Sequence, residues 1–206
     1  MVRSTERTAR KEPHSTWLDD RIEDLQTWAH GKPWFLYLPL LLWMVYITVR
    51  TIRDYDYSSF IGGLNLGIHE AGHLLFFWGG QDLMAAGGTI AQLIAPLIVL
   101  WQFARQKEYF GITFTICWLG TNLVGVARYM ADAQALMLPL VSYAPGPATH
   151  DWQYLLTRAG LLEHDTQIAE LLRNGGIVLL ILSSLAGAYL VWEILLQRVL
   201  KTDKDL

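Results

Sequence analysis

Five apolar stretches divide this chain, at roughly 34–50, 58–78, 87–104, 109–127 and 176–197. Each is long enough, or nearly so, to cross about 30 Å of hydrocarbon as a helix. Before them, residues 16–30 place Leu18, Ile22, Leu25 and Ala29 at helical spacing among acidic residues, which predicts a short amphipathic helix stopped by Gly31. Between the fourth and fifth stretches lies a long connection, about 130–175. It begins with an apolar segment, 133–143, that can re-enter the membrane. A Pro/Gly turn at Ala144-Pro145-Gly146-Pro147 follows. Two short helices then follow, one capped by Asp151 and ended by Gly160, the other running from Asp165 or Thr166 to Asn174-Gly175-Gly176.

The pattern predicts an all-α fold. It is a multi-pass membrane bundle of five transmembrane helices, or six if segment 133–143 completes a crossing, with an N-terminal amphipathic helix. Residues 1–33 form a polar tail and juxtamembrane helix, 34–200 one membrane-embedded domain, and 201–206 a polar end.

Composition narrows the function classes. The chain is 52% hydrophobic and 17% charged, too apolar for an ordinary soluble domain. A net charge of −3 with no basic stripe gives no nucleic-acid footprint. The single cysteine, Cys117, excludes an intrachain disulfide and a thiolate zinc site. Lys and Arg are dense at both ends, and the basic N-terminal tail argues for a cytoplasmic start. Two cytoplasmic ends need an even number of crossings, which conflicts with a count of five.

The second apolar stretch carries His69-Glu70-Ala71-Gly72-His73. Two histidines four residues apart share one helix face, so both imidazoles can hold one metal ion. The glutamate between them can serve as general base toward a water activated by that metal. Ionisable groups are costly in hydrocarbon, so their presence in a span points to function. Asn65 lies one turn before His69 and either orients a ligand or bonds a neighbouring helix. Gly63 and Gly67 read as a helix-packing pair.

A catalytic zinc also needs a third protein ligand and an open position. Asp132, at the end of the fourth stretch, ranks first because a rigid element holds a ligand well; its competing role is an ion pair with Arg128. His150 ranks second, against the reading of an exposed loop residue. Asp151 competes with its use as a helix cap.

With these residues in view, the chain resembles the site-2-protease family of intramembrane metalloproteases. The match is good at Gly67-Ile68-His69-Glu70-Ala71-Gly72-His73-Leu74. At the family's second motif it keeps Asn122 and Asp132, without the prolines and with a spacing longer by two. The resemblance implies Zn2+ held by His69, His73 and Asp132, with Glu70 catalytic. Hydrolysis of a peptide or membrane-protein substrate in or near the bilayer is the expected activity. Two rivals stand beside it. One is a membrane zinc amidase or lipid hydrolase, and the other is a non-catalytic metal-binding protein with a closed four-ligand site.

Overall fold

The computed structural model describes residues 17–140 and 149–204, with side chains as far as Leu200. Among the described residues it is a helical bundle without strands. The helices are α1 (Trp17–Ala29), α2 (Trp34–Arg53), α3 (Ile61–Phe76), α4 (Gly80–Arg105), α5 (Tyr109–Ala131), α6 (Asp151–Ala159) and α7 (Asp165–Lys204). Single 3-10 turns occupy Phe77–Gly79 and Leu162–His164. The Pro/Gly turn at 144–147 lies outside the described residues.

Four helical stretches are long and apolar enough to cross a membrane: 34–53, 61–105, 109–131 and 162–200. The second is a hairpin. Gly80 sits at φ +82°, a left-handed backbone open to glycine, and there the chain folds α4 back along α3. Gly72 and Gly87 meet backbone to backbone, so a Cβ on Gly72 would collide with the Gly87 carbonyl oxygen. α3 has 16 residues. At 1.5 Å per residue it is about 24 Å long, short of a full crossing on its own.

α5 and α7 form the antiparallel spine, with α2 beside them. Leu41, Met44, Ile47, Phe110, Cys117 and Leu180 make its apolar core. The spine corrects one expectation. Gly175-Gly176 does not end a short helix; α7 runs through it for 40 residues. A Cβ on Gly176 would lie 2.9 Å from the Gly120 carbonyl oxygen. The glycine therefore serves close helix approach, with no helix stop. Gly63 and Gly67 show the reverse, since a Cβ on either would meet open space. The packing glycines of α3 and α4 are Gly72 and Gly87.

The apolar segment after α5 is not a sixth crossing in its described part. Residues 132–135 form turns and 136–140 have no regular structure. Asp132 holds this exit in shape, its carboxylate accepting from the Met137 and Leu138 backbone N–H groups at 2.8 and 3.0 Å. The expected amphipathic helix is α1. Its Trp17, Leu18 and Ile22 are exposed, as suits a helix lying in a membrane interface. Lys107 pairs with Asp24 across to it at 2.8 Å.

Candidate metal centre

α3 presents His69 and His73 one turn apart, with ring centroids 4.8 Å from each other. Donor atoms of His69, Glu70 and His73 all lie within 4.8 Å of one another. The residue that meets both imidazoles is Asp151. Its Oδ2 lies 3.1 Å from His69 Nε2 and 3.2 Å from His73 Nε2. Asp132, ranked first from the sequence, is not at this centre. Both of its oxygens cap the exit of α5, and it does not line the cavity beside the histidines. The Arg128–Asp132 pair does not form either, because Arg128 binds Asp56 at 3.3 Å.

Local folding explains why Asp151 is free. The cap of α6 is His150, whose Nδ1 accepts the Gln153 backbone N–H at 3.2 Å. Asp151 is then the first helical residue, and its carboxylate turns toward α3. The helix N-terminus favours an anion there. Burial alone would raise the Asp151 carboxyl, but the two imidazoles outweigh it and hold it below the usual carboxylate range. His150 is itself buried, not an exposed loop residue. Burial lowers its basicity, against the opposing pull of Asp132 3.5 Å away.

The outer contacts of the imidazoles fix their tautomers. His73 Nδ1 faces the Met84 backbone carbonyl at 2.7 Å, a group that only accepts, so Nδ1–H donates. His69 Nδ1–H donates to Gln92 Oε1 at 3.1 Å. In the neutral rings both Nε2 atoms therefore carry lone pairs, and both point at a carboxylate oxygen. Each Nε2–Oδ2 contact, at 3.1 and 3.2 Å, therefore needs a proton or a cation between its two atoms. Neighbouring ligands of a tetrahedral zinc lie about 3.3 Å apart, given metal–ligand distances of about 2.0–2.1 Å. Two imidazoles and a carboxylate are the donor types that a zinc-type ion takes, and among the described residues His69, Glu70 and His73 form a group that could hold a metal ion.

Two further residues shape the centre. Tyr129 accepts the Asp151 backbone N–H at 3.1 Å and approaches Oδ2 with its hydroxyl at 3.3 Å, fixing the carboxylate from both ends. Gly88 makes room for the His69 ring, since a Cβ there would lie 2.5 Å from Nε2. Asn65 does not touch the histidines. Its Oδ1 accepts from Trp118 Nε1 at 2.8 Å, the helix-to-helix bond that was its alternative role. Asn122, the other half of the second motif, is fully buried and donates to the Trp118 carbonyl. Sequence reading missed Tyr129 and Met84.

The centre opens into a cavity of about 800 Å3. Glu70 lines it beside the histidines, with apolar walls from Leu66, Leu74 and Phe77 and hydroxyls from Ser58 and Ser59. No protein-family model, curated protein or solved structure matches the chain.

Proposed function

We propose that this chain is a membrane-embedded zinc metallopeptidase that hydrolyses peptide bonds in or near the bilayer. The observation that carries the reading is the meeting of His69 Nε2, His73 Nε2 and Asp151 Oδ2 at the wall of a cavity that Glu70 also lines. His69, His73 and Asp151 would hold the metal. A zinc ion there would supply Lewis acidity toward a carbonyl and lower the pKa of a water toward about 7. The other steps belong to the chain. Glu70 lines the cavity beside both histidines, so its carboxylate can take a proton from the attacking water and return it to the leaving amine. Gln92 and the Met84 carbonyl keep each Nδ1 protonated and each Nε2 available. Tyr129 keeps Asp151 from rotating away. The apolar walls exclude bulk water and suit a substrate arriving from lipid.

The reading keeps the first motif of the site-2-protease resemblance and replaces its third ligand. A carboxylate from the start of α6 stands where that family's pattern implied Asp132. The test is Glu70→Gln in purified protein given a membrane-spanning peptide and, separately, a lipid amide. Zinc stoichiometry should stay near that of the native chain, while peptide hydrolysis falls by about 10²–10⁴-fold. An unchanged rate would remove Glu70 as the base. Cleavage of the lipid amide alone would transfer the same centre to lipid hydrolysis.

A further inference from the structure

The sidedness of the centre can be read from which connections meet at which end of the bundle. At one end, Glu108 of the α4–α5 turn binds Lys32 at 2.7 Å and Trp28 at 3.1 Å. The starts of α2 and α5 and the end of α4 therefore lie together. At the other end, Asp56 of the α2–α3 connection pairs with Arg128 in the last turn of α5. Asp165, opening α7, accepts from Gln134 just past α5 at 3.1 Å. α7 then returns along α5, with Gly176 on Gly120 and Gly187 near Phe110. Its far end thus lies at the end where α2 begins.

α3 does not add a crossing. Asn65, in its first turns, bonds Trp118 near the middle of α5, whereas Asp56, shortly before α3, sits at the end of α5. Residues 57–60 have no helix and bridge that depth. From there α3 rises back toward the Arg128 end. At the α3–α4 turn, Asp82 binds Arg158 of α6 at 2.9 Å. The crossings are then α2, α4, α5 and α7, an even number. His69, His73, Asp151 and Tyr129 all fall in the half of the bundle away from the start of α2 and the far end of α7.

Charge sets which half faces the cytoplasm. Residues 1–33 hold six Lys/Arg, the 105–108 turn holds two and 198–206 hold three. Only Arg50, Arg53, Arg128, Arg158 and Arg173 lie toward the other end. Lys and Arg concentrate on cytoplasmic faces.

We propose that α3 is a half-span, that the start of α2 and the far end of α7 lie on the cytoplasmic side, and that the centre opens toward the opposite face. Its substrates are membrane chains whose cleavable segment lies in the non-cytoplasmic half of the bilayer. This substrate clause rests on the peptidase reading, whereas the orientation does not.

The test uses single cysteines in a full-length Cys117→Ser background, expressed in a bacterial inner membrane. Intact spheroplasts are treated with a membrane-impermeant maleimide. Asp54→Cys, Gln81→Cys and Glu163→Cys should label from outside, and Gln106→Cys only after permeabilisation. Asp54→Cys and Gln81→Cys labelling from opposite faces would make α3 a full crossing and overturn the half-span. Gln106→Cys labelling from outside would overturn the orientation. In sealed vesicles of known orientation, a single-span peptide with a Gly-Pro break in the half nearer residue 163 should be cut at least tenfold faster than one broken in the other half. Equal cutting would overturn the substrate clause. No cutting, with the labelling pattern intact, would count against the peptidase reading and leave the orientation standing.

Discussion

The α2–α5–α7 spine and the α3–α4–α6 region are both helical, yet they are held together by different means. In the spine, Met44, Ile47 and Leu180 are completely enclosed. Polar bonds supplement that apolar contact. Thr48 of α2 reaches α7, 3.0 Å from the Ser184 hydroxyl and 3.3 Å from the Leu180 carbonyl, while Ser183 bonds the Leu180 carbonyl within its own helix. In the other region polar side chains reach between elements: His69 to Gln92, His73 to the Met84 carbonyl, Asp151 to both histidines. Lipid supplies no hydrophobic drive between helices, so close contact and polar bonds hold them. The spine takes the first route through Gly120 and Gly176. The second region leans further on polar bonds, and through them His69, His73 and Asp151 come together.

That contrast can be broken at several points. The largest effect should come from Asp151→Asn compared with Asp132→Asn. The first should lose most bound zinc by metal analysis, because an amide oxygen is a poor substitute for a carboxylate ligand. The second should keep zinc and lower thermal stability through the α5 exit. Loss of zinc in the Asp132 variant alone would restore it as the ligand. Next, Leu180→Ala should cost about 2–5 kcal/mol of stability in detergent, as for a large-to-small change in a packed core. Zinc affinity should be unchanged at temperatures where the variant is folded, and a parallel loss would show the two regions to be one unit. Gln92→Leu should weaken zinc binding by about 10–100-fold, the usual effect of removing a partner that orients a ligating histidine, with little change in melting. The smallest effect is Lys32→Ala. A partly exposed ion pair contributes about 0.2–1 kcal/mol, so the melting shift should be slight and should shrink in high salt.

The two regions also differed in how far the sequence revealed them. Helix positions followed from hydrophobic runs, and His69, Glu70 and His73 from their spacing on one face. Depth did not follow. Residues 58–78 are apolar over a membrane's length, but their first part is spent on non-helical chain. Gly175-Gly176 carries the composition of a helix stop, and only the facing Gly120 reveals close packing. Asp151 was set below Asp132 because an aspartate before an amphipathic run is an apt cap. His150, which takes over that task, is buried with the Tyr129 ring of α5 tilted against it, the centroids 4.2 Å apart. Such an arrangement leaves no local signature.

The order His150-Asp151 carries a consequence of its own. Successive residues on a helix point about 100° apart. Exchanging the pair would swing the carboxylate out of register with α3 while leaving every side chain in the inventory. The arrangement is therefore set by phase as much as by composition, and that exchange would part the carboxylate from both histidines without touching either of them.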